Sequence, residues 1–350
     1  MKSKVQPAIW FPAIRTGTGT DVFTQRLVEG LVAIGIRAEI TWLPLRAEYL
    51  PWTVAVPQPP NWATIVHVNT WLHRRFLPKN LPVVATLHHS IHDPDLRPYK
   101  GWLRAMYHQY WIAPNERCVM QKAQQVTAVS QFVADMAKRT LGDLPIQVIY
   151  NGIDTDLFCP GNRVRQKDEP FRLLYVGSWR RLKGVDLLAP IMCKLGDGFE
   201  LHYTGGKAAE KDKYNMPKNM HDLGRLNQQE VIEAMQNVDA LLFPSRSEGF
   251  GLVVVEAIAC GLPVIAMKGT CLQEIITHES EGYLCDAEEI LSFVTAIKKL
   301  QLIKSRLDTN LKNNNFFKFS FDHMLKEYSS LYKKTDLMTT NTNRGKYNDI

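Results

Sequence analysis

Three hundred and fifty residues, 45% hydrophobic and 22% charged, have the length of two ordinary domains and a globular composition. That excludes a disordered chain, a coiled coil and a collagen-like chain. The net charge of +7 is lopsided: residues 1–150 carry 16 Lys and Arg against 9 Asp and Glu, while the remainder balances at 26 against 26. The N-terminal half is therefore expected to meet something anionic: a lipid surface, a phosphorylated substrate or nucleic acid.

In chain order the pattern alternates strands and helices. Val5–Phe11 reads as an apolar strand, followed by a Gly/Thr loop (Arg15–Thr20) and a helix over Asp21–Ile34. Arg37–Leu43 alternates like a strand, and Ala63–Val68 and Val83–Leu87 suit buried parallel strands. Trp102–Gln124 predicts a long helix with Pro114 as a kink or boundary. Val126–Val129 and Ile146–Tyr150 are further strands. The polar, proline-bounded stretch Phe158–Pro170 reads as an interdomain linker. A second alternation follows: strands at Phe171–Val176, Glu200–Tyr203, Ala240–Phe243 and Pro263–Ala266, and helices at Val185–Leu195, Gln228–Gln236 and Leu252–Cys260. Glu288–Leu302 and Asp322–Lys333 are further helices, and the Thr- and Asn-rich end, Thr335–Ile350, reads as a disordered tail. The expectation is an α/β chain with two doubly wound domains, whose ligands bind where loops leave the carboxyl ends of the strands.

No run of about 18 uncharged apolar residues is present, and the first residues lack a signal-peptide core, so neither a membrane span nor a leader is expected. The six cysteines are scattered, with no C-x-x-C and no zinc-ligand spacing. A reduced, cytoplasmic setting is expected.

The strongest chemical signal is Ser245–Val264. A strand ends at Pro244, and a loop with Gly249 and Gly251 then feeds a helix from Leu252. Glycines permit close backbone approach, and a helix N-terminus presents N–H groups to an anion such as a diphosphate. Glu248 and Glu256 would repel phosphate, so they are read as acceptors from the hydroxyls of a sugar and a ribose. The bland alternative is one helix-terminal acid and one solvated Glu.

These residues resemble the retaining glycosyltransferases of family 4, on the GT-B fold of two Rossmann-like domains facing each other across a cleft. The E-x7-E pair Glu248/Glu256 is similar to the family's, as is the following Glu-Ala-x-Ala-x-Gly-x-Pro-Val. So are Tyr175-Val-Gly177 through Lys183-Gly184, Asn151-Gly-Ile-Asp154, Val126–Ser130, Thr86-Leu-His88 and Asp239–Ser245. The resemblance covers most of residues 5–330 and extends to bacterial cell-surface polysaccharide and lipopolysaccharide enzymes. It implies transfer of a sugar from a nucleotide-diphosphate sugar to a carbohydrate or lipid-linked acceptor, with retention and with no metal and no cofactor. Residues 1–157 would bind acceptor and 171–315 donor, joined by 158–170, with a helix over 316–334 crossing back. Glu256 would hold the ribose and Glu248 the donor sugar. The backbone of Gly249, Phe250, Gly251 and Leu252 would line sugar and phosphates, with Gly177 in the neighbouring loop. Lys183 would neutralise the leaving diphosphate, and His88 would contact donor sugar or acceptor.

Two departures stand out. The family's Arg after Val-Gly is Ser178, which leaves Arg180 or Arg181 as the second cation. The family's G-G-x-x-E loop reads Thr270-Cys-Leu-Gln-Glu274, which weakens a phosphate role for its backbone. Gly17 and Gly19 fit a close-approach loop at phosphates or acceptor. A dinucleotide fingerprint is the rival there, but its third glycine is Val22 and Glu39 lies within a strand. His67 favours a structural reading. Basic and aromatic residues mix in Trp71–Lys79 and Leu96–Trp111, which suits an anionic membrane headgroup zone or a solvated helix face equally. The charge asymmetry favours the membrane, at its inner face, and no nucleic-acid module is recognisable. Against transfer stand a GT-B epimerase or phosphorylase and a non-catalytic nucleotide-sugar binder.

Overall fold

The structure is a computed structural model that describes residues 6–163, 165–166, 168–304 and 314–345. Residues up to Gly152 together with those from Phe321 onward form one compact unit, and Ile153–Ser320 form a second.

The first unit holds a six-stranded sheet of β1 (Ile9–Ile14), β2 (Ala38–Leu43), β3 (Ile65–Asn69), β4 (Val83–Leu87), β5 (Gln125–Ala128) and β6 (Gln147–Val148). Its order is β2-β1-β3-β4-β5-β6 and every pairing is parallel. β1 runs through Pro12, where sequence reasoning ended the strand. β3 pairs with β1 only at Ile9 and Trp10, so the missing N–H of Pro12 leaves no hydrogen bond unmade on that side. Helices α1 (Gly19–Ala33), α2 (Arg46–Tyr49), α3 (Trp102–Tyr107), α4 (Ala113–Lys122) and α5 (Gln131–Leu141) complete the N-terminal portion. The predicted long helix over 102–124 is instead α3 and α4 joined by a π-helical turn, His108–Ile112. Pro114 explains it: the ring crowds the carbonyl four residues back, and a widened turn relieves this without ending the helix.

The second unit repeats the architecture with β7 (Phe171–Tyr175), β8 (Phe199–Tyr203), β9 (Met220–Asp222), β10 (Ala240–Phe243), β11 (Val264–Met267) and β12 (Gly282–Cys285), in the order β12-β11-β10-β7-β8-β9. Its helices are α6 (Val185–Leu195), α7 (Gln228–Gln236), α8 (Leu252–Ala259) and α9 (Ile290–Lys304). The order reverses between β7 and β10, so the loops leaving these neighbours diverge and open a crevice at their carboxyl ends. The segment read as a linker is anchored to this unit. Phe158 is buried, and Arg163 pairs with Glu169 at 2.7 Å and Asp239 at 3.4 Å.

The chain then returns as α10 (Phe321–Gly345), whose Met324, Leu325, Tyr328, Leu331 and Tyr332 join the first unit's core with Phe23, Leu27 and Leu31 of α1. Gly30 leaves room at this crossing, because a Cβ there would lie 2.6 Å from the Phe321 ring and push it aside. The tail expected to be disordered from Thr335 is helical to Gly345. Thr335 is fully buried and its hydroxyl donates to the Leu331 carbonyl at 2.8 Å. Packing of the preceding turns carries these weak helix formers. Residues 346–350 of that tail lie outside the described residues.

A buried polar chain fastens α10 to the sheet. His67 Nδ1 meets the Tyr332 hydroxyl and Nε2 the Thr86 hydroxyl, both at 2.6 Å, and Thr86 meets Thr127 at 2.7 Å. His67 is thus structural. Burial pushes its pKa down to about 3, whereas an unfolded histidine titrates near 6.5. Between those values the unfolded chain binds the extra proton. Stability is therefore expected to be complete above about pH 6.5 and to fall as pH drops towards 3, by up to about 1.4 kcal/mol per pH unit from this one residue. Tyr332→Phe, which strands one ring nitrogen, is expected to cost about 1–3 kcal/mol in urea unfolding at pH 7.

Candidate active site

At the crevice of the second unit, the loop after β7 (Val176–Gly184) and the loop after β10 (Pro244–Gly251) pack tightly. Gly184 has φ +73°, and a Cβ there would lie 2.0 Å from the Pro244 carbonyl oxygen, so only glycine lets the two loops touch. Arg246 locks them. Its guanidinium is buried and donates to Asp186 Oδ1 at 2.7 Å, to Glu288 at 2.5 and 2.7 Å, and to the Arg181 carbonyl. The Arg246 backbone N–H also donates to the Leu182 carbonyl at 3.1 Å.

This scaffold brings Lys183 and Glu248 together. Lys183 Nζ donates to Glu248 Oε1 at 2.6 Å and to the Ser247 carbonyl at 3.1 Å. An ammonium has three N–H donors, so a third remains to take an anion's oxygen. Their side chains are 23% and 11% exposed, which keeps the pair reachable from solvent while water screens it little. Gly251 caps α8 with φ +82°, and Leu252 opens the helix, so its first N–H groups face the same loop. Glu256 is half-buried one turn inside α8, and Phe250 is buried against Phe319 at 5.7 Å.

The turn Cys271–Glu274 closes on this loop from β11. A Cβ at Gly251 would meet Leu272 Cδ2 at 2.5 Å. Burial, then the Glu248 and Glu274 carboxylates, push the Cys271 thiol well up, so it stays protonated. On the other side Gly177 N–H donates to Thr204 Oγ1 at 3.1 Å, and the Tyr175 hydroxyl donates to the Ser178 carbonyl. Burial and then Glu248 raise the Tyr175 pKa, while Arg180 opposes them. Arg180 Nε donates to Ser178 Oγ at 3.2 Å, whereas Arg181 is mostly exposed and turns to Asp186 at 3.4 Å.

The remaining predicted residues lie in the first unit. His88 follows β4, is buried, and donates from Nε2 to Asn69 Oδ1 at 2.9 Å. Burial, then His89 and His67, hold its pKa well below the usual imidazole value, which leaves Nδ1 as an acceptor. Phe23 and Trp71 meet its ring edge-on at 4.6 and 5.8 Å. A small cavity beside Asn69 is lined by Phe11, Phe23 and His67. Gly17 is exposed just before α1, and Gly19 is exposed as its first residue. The Gly17 N–H is already engaged, donating to Asp21 Oδ2 at 2.7 Å. The predicted residues therefore form two groups, one on each unit.

Sequence reasoning missed Arg246, Asn69 and the Cys271–Leu272 wall. Arg246 sat inside the quoted motif, but its partners Asp186 and Glu288 are 60 and 42 residues away.

A profile of the group 1 glycosyl transferases matches residues 162–338, over half of the chain, and one of glycosyltransferase family 4 matches residues 60–157. An uncharacterized glycosyltransferase of Methanocaldococcus jannaschii is 29% identical over 210 residues, covering 59% of this chain and 55% of that protein. The chain spans about half the length of the first curated relatives it matches. The solved sucrose-phosphate synthase from Thermosynechococcus elongatus superposes with a TM-score of 0.69 at 18% identity, over 97% of this chain and 100% of that one. Anabaena HepE in complex with UDP-glucose gives 0.61 at 16% identity, over 96% and 99%. These likenesses establish the GT-B fold.

Gly251→Ala is expected to destabilise the unit through both its left-handed backbone, about 1–2 kcal/mol, and its clash with Leu272. Adding Leu272→Ala should return the clash component and not the backbone one, read as the midpoint of thermal unfolding of the single and double variants.

Proposed function

The chain belongs to the group 1 glycosyl transferases, and from that premise we propose that it moves a sugar from a nucleotide-diphosphate sugar to a hydroxyl of a lipid-linked or polysaccharide precursor. Transfer keeps the anomeric configuration and uses no metal. The observation that carries the reading is Lys183 on Glu248 at 2.6 Å beside the glycine-capped start of α8. An ammonium with a spare donor and a helix N-terminus converge where a diphosphate would gather charge as it leaves, and such fixed donors lower the barrier to departure. Glu248 accepts from sugar hydroxyls, Glu256 from the ribose, and Gly177 and Gly249–Leu252 give the ligand backbone to lie against. Arg180 serves as the second cation, since its Nε stays on Ser178 Oγ in the loop after β7 while Arg181 is drawn to Asp186. That HepE was solved with UDP-glucose makes UDP-sugars the first donors to try.

The acceptor falls to the first unit, with His88 presenting a neutral nitrogen to its hydroxyl or to the sugar, and Gly17 and Gly19 forming a close-approach loop at the phosphates or acceptor. A lipid-linked acceptor suits that unit's surface. No residue of α3 is buried, and Trp102, Leu103 and Met106, with Tyr110 in the π turn, are 48–71% exposed. Tyr107 stacks on Tyr49 at 5.4 Å and Trp111 meets Trp52 at 5.9 Å, so exposed Tyr49, Leu50 and Trp52 continue the same face. Arg75 joins it by donating to the Pro51 carbonyl at 3.0 Å. Aromatic and apolar side chains among cations fit the inner, anionic leaflet of a membrane. No helix among the described residues is long and apolar enough to cross one.

Donor binding is tested by thermal unfolding with a panel of UDP-, GDP-, ADP- and dTDP-sugars. One selective stabilisation that survives EDTA is expected, about 2.7 kcal/mol at a hundredfold excess over Kd. Lys183→Ala and Glu256→Ala should each weaken donor binding or turnover about 10- to 150-fold, the loss of a charge-assisted hydrogen bond. Unchanged kinetics in both would overturn the donor site. In flotation with anionic vesicles at low salt, the wild type should bind and a Trp102→Glu/Tyr110→Glu variant should not; equal recovery of the two would remove the membrane reading.

A further inference from the structure

Away from the crevice, the second unit gathers three metal-ligand side chains on one sheet face. Glu200 and His202 are two apart on β8 and so share a face, while the alternating Leu201 and Tyr203 enter the core. His202 stands in register with His221 on β9, which puts the second imidazole on that face too. One ligand atom from each of the three lies within 4.8 Å of the other two. The two imidazole rings meet edge-on at 5.4 Å, and His202 Nε2 is 3.9 Å from Glu200 Oε2.

We propose that Glu200, His202 and His221 form a binding site for a divalent transition-metal ion of the Zn2+ type, through two imidazole nitrogens, one carboxylate oxygen and water. Borderline-soft ions take this mixed set. Metal–ligand bonds of about 2.0–2.2 Å need ligand atoms about 3.4 Å apart in a tetrahedron. Rotation of half-exposed side chains closes that gap: Glu200 and His202 are 30% and 28% exposed, and His221 is exposed. Arg172 opposes the site, with Nε 3.5 Å from the Glu200 carboxylate, though Glu169 at 3.9 Å shares its guanidinium.

The ion would act as a clip on the sheet edge. β9 has only three residues and pairs on one side. Asp222, next after His221, takes the N–H groups of Gly205, Gly206 and Gly224 at 2.9–3.1 Å. Pinning His221 to β8 therefore also fixes the glycine loop that follows β8. The site shares no residue with the proposed donor site and does not depend on the transferase reading.

The test uses the full, tag-free chain and ZnCl2 alone. Calorimetric titration should show saturable binding of one equivalent, and excess Zn2+ should raise the unfolding midpoint. Loss of an outer-shell partner costs a metal site about 10- to 100-fold, so His202→Ala, His221→Ala and Glu200→Gln should each weaken binding at least that much. Arg172→Gln should tighten it. His221→Ala alters an exposed edge residue, and an unchanged metal-free midpoint separates ligand loss from misfolding. Co2+ in place of Zn2+ should give a visible ligand-field band that both histidine variants lose. No saturable binding by the wild type, or equal affinity in the His202→Ala/His221→Ala double variant, overturns the proposal.

Discussion

One guanidinium holds the two crevice loops of the second unit in register. Arg246 reaches from the loop after β10 to Asp186 at the start of α6 and to Glu288 before α9, and takes in the Arg181 carbonyl on the way. A buried charge is tolerated only when its donors are met, and here two carboxylates and a carbonyl meet them. The same lock explains the neighbourhood. Gly184 must be glycine because Pro244 is pressed against it, and Lys183 points at Glu248 because its own loop is held against the one bearing Glu248. Replacing Arg246 would leave two carboxylates without their partner and release both loops together.

The first unit solves a similar problem with neutral groups. Three buried polar side chains, His67, Thr86 and Thr127, are satisfied by one another and by Tyr332 of the returning helix. This pairing selects which face of α10 lies on the sheet, since Tyr332 answers His67 and Tyr328, one turn earlier, meets Thr86 at 3.4 Å. His88, one residue beyond β4, is then buried against Asn69, Phe23 and Trp71 with its imidazole kept neutral.

Legibility in the sequence followed the range of the interactions. The strands of the two sheet centres and α1, α6, α7 and α8 could be read because apolar periodicity and glycine punctuation are local. β9 and β12 could not: they have three and four residues, lie at sheet edges, and carry His221, Asp222 and a glycine where an apolar run would be needed. Helix through Thr335 was hidden because its Thr and Asn residues disfavour helix alone and only docking of the turns before it holds them. Lys183, Glu248 and Glu256 stood out through their motif. Arg246 stood in the same motif yet could not be assigned a role, because the carboxylates that decide it come from two distant loops. Arg180 and Arg181 could not be told apart either, because their partners, Ser178 and Asp186, are set against each guanidinium only in the folded loop.

The path of α10 has a consequence for biogenesis. The second unit is an insertion: the chain enters it at Ile153 and leaves it at Ser320, and these two residues form a parallel bridge, with Ile153 N–H bonded to the Phe319 carbonyl. Its ends are thus fastened side by side from within. On a ribosome that unit is complete once residue 320 has emerged, while the first unit, made earlier, still lacks the helix that fills its core and answers His67. Until residues 321–345 follow, the earlier half exposes the apolar groove of Phe23, Leu27 and Leu31. The order of synthesis and the order of completion are therefore reversed, and it is the first-made unit whose apolar groove stays uncovered longer.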